Sequence, residues 1–534
     1  MNKIAYPFII ICLTITCLRL MAGDILMPKS AIVQTSYGKV RGYTHNGIYT
    51  YKGIPYAQAQ RFMPPQQPAS WTGVRNSMAY GPVCPQTGPN VIDQSEFFFH
   101  HDFGYPGEDC LRLNIWSTNV NRTKKRPVMV WLHGGGFATG SGNELPSYDG
   151  ENLCKKGDVV VVGLNHRLNV LGFLNLSSFG EKYKYSANTG MLDLLAALKW
   201  VRENIAKFGG DPNNVTIFGQ SGGGRKVCTL LTMPEAKGLF HKAIVESGAS
   251  LELFTNKESQ RIGELVIKEL GLDASSVDSM QKIPYELIRA AGEKVLLQLN
   301  KEYEAQGKSI DGFRLRWGPT NDGDIIPFQP TDDRANAIMK DVPVMIGSTK
   351  NEFVQAFNTP DFIQPETEEE AKNILSLKYP DITDDYISAV KKAYPDAKRP
   401  LDLLEVDIRG RASTIHLADL KAKQGKVYTY LFAWESPVLE GRFRSCHCLE
   451  LPFVFDNVDR CPEMTGGGTD ARNLADKMSR AWLNFAIYGD PNHNTLAHWE
   501  PYTTQNGATM VFDNKCKLVY HHDKELITLV MGDH

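Results

Sequence analysis

Charge of one sign is missing from this chain: 58 Lys and Arg stand against 60 Asp and Glu, leaving −2 over 534 residues. That balance argues against a nucleic-acid or anionic-membrane partner, either of which calls for a basic surface. No repeat recurs at a fixed period and no low-complexity stretch interrupts the chain, so solenoids and disordered scaffolds are set aside. No His-Glu-x-x-His motif occurs, and no metal or other cofactor is expected. Long hydrophobic runs are absent beyond the N-terminus. Residues 4–18 are apolar between Lys3 and Arg19, and at about fifteen residues they fall short of the ~20 a membrane span needs. They match a signal peptide cut near Ala22 or Gly23, an uncleaved anchor or buried helix being the alternative. With residues 1–23 removed, the cysteines left are Cys84, Cys110, Cys154, Cys228, Cys446, Cys448, Cys461 and Cys516, an even set that permits disulfides in an exported protein. The expectation is a secreted or periplasmic protein with no stable membrane anchor.

What is present is organised around residues 215–224. The apolar run Val215 to Phe218 leads into Gly219-Gln220-Ser221-Gly222-Gly223, and a helix is expected from about Lys226. Strand, sharp glycine turn and helix make up a nucleophile elbow, in which Ser221 is held exposed at a strained turn. The helix N-terminus behind it favours negative charge at that point. G-x-S-x-G alone is weak evidence, so the surroundings carry the reading.

Those surroundings are consistent. Residues 127–132, 159–164, 242–247, 342–347 and 427–433 read as buried strands, with a helix over 191–207 and charged, helix-rich segments at 252–310 and 366–425. Near-continuous Val and Ile runs alternating with helices mean a parallel sheet covered on both faces. Residues 32–42 and 48–52 alternate as hairpin strands do. A long helix over 471–488 and a final hairpin near 509–519 close the fold. No linker with a composition break appears, so residues 24–534 are read as one elaborated α/β domain.

The chemistry follows from strand ends. His133-Gly134-Gly135-Gly136 follows the strand at 127–132, and glycines there let backbone N–H groups face a ligand. A serine needs a base, and the base needs an orienting partner. Glu352 lies just past one strand end and His447 in the loop after the next. The chain order Ser221, Glu352, His447 is the one expected when the nucleophile stands on such an elbow.

Taken together, these segments resemble the type-B carboxylesterases of the α/β-hydrolase superfamily, the group that includes p-nitrobenzyl esterases and cholinesterases. The resemblance spans residues 33–513. It is carried by Gly53-Ile54-Pro55-Tyr56-Ala57, Glu108-Asp109-Cys110-Leu111-Arg112-Leu113-Asn114, the glycine run at 134–136, Asn165-His166-Arg167-Leu168, Phe208-Gly209-Gly210-Asp211-Pro212, the elbow, and Glu450-Leu451-Pro452-Phe453. It implies a large, mostly parallel central sheet with helices on both faces and helical insertions over the active site. It implies Ser221 as nucleophile, His447 as base and Glu352 as its acid, with an oxyanion hole from the N–H groups of Gly135, Gly136 and Gly222. A disulfide between Cys84 and Cys110 and a small-molecule ester substrate are implied as well.

Four departures stand out. Cys446 and Cys448 flank His447, read as packing thiols or as partners of Cys461 in a disulfide rather than as zinc ligands. Arg225, one turn into the elbow helix, is expected to have an acidic partner, contact with an anionic substrate being the other reading. Phe353 follows Glu352 where glycine is usual. No Trp lies between Cys84 and Cys110, which argues against choline esters. The reading from another class is a catalytically silent, cholinesterase-like adhesion protein, against which the complete Ser221, Glu352, His447 set counts.

Overall fold

The computed structural model describes residues 25–87, 94–120, 123–307, 315–357 and 364–532. The expected leader at 1–23 lies outside the described residues. The apolar runs enter one 12-stranded sheet. In chain order its strands are β1 (Ile25–Leu26), β2 (Tyr43–His45), β3 (Ile48–Pro55), β4 (Arg112–Ser117), β5 (Arg126–Leu132), β6 (Val160–Leu164) and β7 (Gly210–Gln220). They continue with β8 (Lys242–Glu246), β9 (Val344–Thr349), β10 (Val427–Phe432), β11 (Ala508–Phe512) and β12 (Lys517–Tyr520). Their order across the sheet is β1-β2-β3-β4-β6-β5-β7-β8-β9-β10-β11-β12. From β6 to β11 every neighbouring pair is parallel, and the margins are antiparallel. Parallel strands end on the same edge, so β5, β7, β9 and β10 deliver their following loops to one place.

The strands read as unbroken apolar runs because both faces are covered. Side chains alternate with the two-residue strand period. On β5, Val128, Val130 and Leu132 join one core cluster, with Met129 and Trp131 in the other. The first face is closed by helix α1 (Thr189–Asn204), through Leu194, Leu198 and Val201. The second is closed by α3 (Thr469–Tyr488), through Met478 and Trp482. Between these in the chain comes α2 (Gly222–Leu230), the elbow helix.

Two expectations need correction. The elbow helix starts at Gly222 rather than near Lys226: Gly222 to Gly224 pack against backbone and take helical geometry despite their low propensity. The hairpin at β11 and β12 is not the last element, since a helix follows at Lys524–Met531. The segment between Cys84 and Cys110 carries a short helix, Gln94–Phe99.

One buried ion pair ties the site's scaffold together. Arg167, in the loop after β6, donates to both carboxylate oxygens of Asp193 on α1 (2.8 and 2.6 Å). Its remaining N–H groups reach the carbonyls of Gln60 (3.0 Å) and Met63 (2.8 Å). Replacing one member strands a charge in a dry environment, which costs about 3–5 kcal/mol. Arg167→Leu is therefore expected to lower the thermal midpoint by several degrees, and R167L/D193L to recover part of that loss, as measured by calorimetry.

Candidate active site

Ser221 stands between β7 and α2 with φ 57° and ψ −121°. A non-glycine residue in that region stores of order 1–3 kcal/mol of strain, so its neighbours must hold it. Its N–H donates to the carbonyl of Glu246 at the end of β8 (2.8 Å), and its own carbonyl accepts from Arg225 N–H (3.0 Å). The flanking glycines are required by close approach. A Cβ on Gly223 would lie 1.9 Å from the carbonyl oxygen of Leu132, and one on Gly219 would lie 2.6 Å from it. The serine thus rides on a helix pressed directly against the end of β5.

The loop that leaves β5 folds over the elbow. Gly135 and Gly136 take φ of 77° and 66°. Gly136 lies so near Gly222 that a Cβ there would be 2.1 Å from its carbonyl oxygen and 2.4 Å from its nitrogen. A Cβ on Gly134 would lie 3.6 Å from Ser221 Cβ. Among the described residues, the N–H groups of Gly135 and Gly136 donate to no other backbone group, while Gly135's carbonyl accepts from Ala138 (3.3 Å) and Thr139 (3.1 Å). The three expected oxyanion glycines are therefore brought together beside Ser221.

Glu352 and His447 meet directly. Glu352 lies three residues past β9, and its Oε1 accepts from Thr349 N–H (2.9 Å). Its Oε2 takes the hydrogen bond of His447 Nδ1, and His447 N–H donates to the Glu352 carbonyl (2.7 Å). Nδ1 is engaged by that bond, which leaves Nε2 as the free acceptor. Among the described residues no hydrogen bond joins Ser221 Oγ to His447; such contacts often close only when substrate binds. The elbow reaches the histidine through Gln220, whose side-chain amide nitrogen is 3.3 Å from both ring nitrogens. An atom equidistant from both at that range clears the ring only above its face.

Three carboxyls lie buried here with different fates. Burial pushes Glu352 up, but the His447 charge and its hydrogen bonds outweigh that and hold it below the usual carboxylate range. Burial, then the charges of Glu352 and Glu246, push Glu450 well above it. Burial raises Glu246 to about 8 against a hydrogen bond from Trp482 Nε1, which lies 2.6 Å away. Ser247 Oγ donates to Glu450 Oε1 (3.3 Å). Negative charge is thus reserved for the carboxyl that holds the histidine.

Other residues were not singled out by sequence reasoning. Lys226 on α2 is fully buried, and its Nζ donates to the His133 carbonyl (2.9 Å), anchoring the start of the glycine loop. Burial brings its ammonium down to about 7, against the pull of Glu144. Glu144, raised by burial to about 7, accepts from Ser141 N–H (3.1 Å) and Tyr148 OH (3.2 Å). The sequence signal was a lysine on a helix whose neighbours Val227, Cys228 and Leu230 are all apolar. Cys448 donates to Gln220 Oε1 (3.1 Å), and no periodicity announces that pairing.

The described cysteines are all free thiols. Cys84 and Cys110 are unbonded thiols, both buried, and a thiol–thiol hydrogen bond followed by burial pushes Cys110 well above its ordinary value. Cys84 Sγ also accepts from Leu168 N–H (3.2 Å). Cys446, Cys448 and Cys461 are likewise free, and no disulfide runs to Cys461. Among the described residues no group of His, Cys, Asp and Glu is arranged to hold a metal. Burial and then the neighbouring cation of Arg316 lower Arg225.

Glu246 supplies a pH test of the buried carboxyls. Between the ordinary carboxylate value of 4.5 and about 8, the unfolded chain has released the Glu246 proton and the folded chain has kept it. Folding stability therefore falls as pH rises through that window. Glu246→Gln does not titrate and keeps an oxygen for Trp482. Its thermal midpoint relative to wild type is expected to rise from pH 5 to pH 8, as read by differential scanning fluorimetry across that range.

Comparison with known proteins gives this geometry its family. The Carboxylesterase family matches residues 29–526. The chain is 36% identical over 496 residues to the para-nitrobenzyl esterase of Bacillus subtilis (strain 168), covering 91% of this chain and 95% of that one. It is 31% identical over 498 residues to the phenmedipham hydrolase of Pseudarthrobacter oxydans, with 91% and 95% covered. Among solved structures, an esterase of Clostridium hathewayi that can hydrolyze aliphatic aromatic polyesters superposes with a TM-score of 0.84 at 38% identity, covering 95% of this chain and 99% of that one. A PNB esterase structure gives 0.76 at 34%, with 93% and 99% covered. Family, α/β-hydrolase fold and site geometry agree: the chain belongs to the carboxylesterase family and is a serine carboxylic ester hydrolase.

Proposed function

We propose that Ser221 Oγ attacks the ester carbonyl while His447 Nε2 takes its proton, Glu352 holding the imidazole through Nδ1 and stabilising the imidazolium. The N–H groups of Gly135, Gly136 and Gly222 receive the oxyanion. His447 then returns the proton to the departing alcohol. Water, activated by the same histidine, hydrolyses the acyl-enzyme and frees the acid. The observation that carries this reading is the Glu352–His447 bond beside a strained serine over which the glycine loop is folded. An adhesion protein without catalysis has no use for that arrangement.

The substrates we propose are small esters with an aromatic part. The relatives support this: one is named for p-nitrobenzyl esters, another for phenmedipham, and a structural neighbour for aliphatic aromatic polyesters. We propose further that residues 1–23 are a leader removed on export, that residues 24–534 form one domain, and that Cys84 and Cys110 join as a disulfide in an oxidising compartment. Among the described residues no helix is long and apolar enough to cross a membrane.

Hydrolysis of p-nitrobenzyl acetate by wild type, Ser221→Ala and Glu352→Gln tests the mechanism. Ser221→Ala is expected to lose about 10⁴-fold or more in kcat, and Glu352→Gln to lose about 10⁴-fold because the imidazole takes the wrong tautomer. A fluorophosphonate that labels wild type and spares Ser221→Ala confirms the nucleophile. Full activity in Ser221→Ala would remove it from the mechanism.

A further inference from the structure

Phe353 sits next to Glu352 and is 72% exposed, although both its chain neighbours, Glu352 and Val354, are buried. Its ring packs on the imidazole of His447, with centroids 4.6 Å apart and planes inclined by 32°. One side of the phenyl ring therefore faces the catalytic histidine, and most of the rest faces solvent. A single exposed apolar residue needs no explanation by itself. One stacked on the proposed base does, because every turnover passes beside it.

The chemistry locates what meets that ring. Nδ1 of His447 is held by Glu352, so the proton given to the leaving alcohol departs from Nε2. The leaving oxygen must then come within ~3 Å of Nε2, which puts the carbons attached to it within van der Waals reach of a ring centred 4.6 Å from the imidazole. The acyl carbon is bonded to that same oxygen, but it is common to every ester of one acid, so the alcohol is the part that varies beside the ring.

We infer that Phe353 is a specificity-determining residue for the alcohol side of the ester, favouring flat aromatic alcohols over small alkyl ones by packing against them. The inference rests on the triad reading above. Aromatic pairs prefer offset or edge-to-face arrangements with centroids 4.5–7 Å apart, and the exposed part of Phe353 is open to such a partner. Its contact with His447 also acts on the imidazolium, but that effect is common to all esters. Only contact with the alcohol distinguishes them.

The test compares benzyl and ethyl esters of one acid, so that both form the same acyl-enzyme and kcat/KM reports acylation. Wild type, Phe353→Gly, Phe353→Leu and Phe353→Tyr are measured as full-length chains, an exposed position leaving the fold intact. Phe353→Gly and Phe353→Leu are expected to lower the benzyl-to-ethyl ratio of kcat/KM by about fivefold, with Phe353→Tyr close to wild type. An equal loss on both esters, with a shifted acid limb of the pH profile, would show that Phe353 acts only through His447 and overturns the inference. An unchanged ratio with unchanged rates overturns it as well. Failure of the triad reading looks different: wild type turns over neither ester and Ser221 escapes fluorophosphonate labelling, and the assignment of Phe353 falls with it.

Discussion

Backbone meeting backbone, where α2 runs against the end of β5, is the contact on which the site depends. At Gly223 the carbonyl of Leu132 occupies the space a Cβ would need, and Gly219 is crowded by the same oxygen. That approach sets how far the elbow helix sits from the sheet. The helix position in turn fixes the φ of Ser221 and brings Gly222 against Gly136. Serine, glycine loop and helix N-terminus are thus one rigid unit whose spacing is set by two absent side chains. The oxyanion hole proposed for this loop needs donors that do not have to move as charge develops, and close-packed backbone supplies that rigidity.

Beneath this unit lies an unusually polar floor. Lys226, Glu144, His133 and His166 are buried together, and the two imidazoles pack at 5.3 Å. Burial, followed by the neighbouring Lys226 cation, lowers both histidines well below their ordinary range, so they are neutral. Lys226 crosses from α2 to the carbonyl of His133 and so links the elbow helix to the glycine loop. A methionine could fill the same volume but could not satisfy that carbonyl. The floor costs desolvation energy and in return fixes the two halves of the site in one register.

The fold was legible because its signals are local or periodic. Val and Ile runs announced β5, β6 and β8, and glycines at fixed offsets announced the elbow and its covering loop. Strand ends pointed to Glu352 and His447, which the structure brings into contact. What escaped reading was decided across long separations. Helix α2 begins at Gly222 because Leu132, some ninety residues earlier, packs against it, and no propensity scale carries that. Gln220 and Cys448 are 228 positions apart and meet only through the fold. The helix at Lys524–Met531 is a short, mostly apolar run from Leu526 to Met531, and a run of that length does not separate helix from strand by its periodicity.

Strain at the site has a consistent form. Ser221, Ser247 and Cys448 all take positive φ, at 57°, 47° and 70°, where β-carbon sterics disfavour any residue but glycine. Each lies just past a strand end or in the loop that follows one, and each is held by a hydrogen bond from its own backbone or side chain. Ser221 N–H reaches Glu246, Ser247 N–H reaches Gly347 (2.8 Å), and Cys448 Sγ reaches Gln220. The last bond has a further effect. An amide has two orientations, and a thiol donating to Gln220 Oε1 selects the one that turns its NH₂ towards His447. The imidazole is therefore held between two neighbours, Glu352 at Nδ1 and Gln220 over its face, and the strained cysteine is what keeps the second in place.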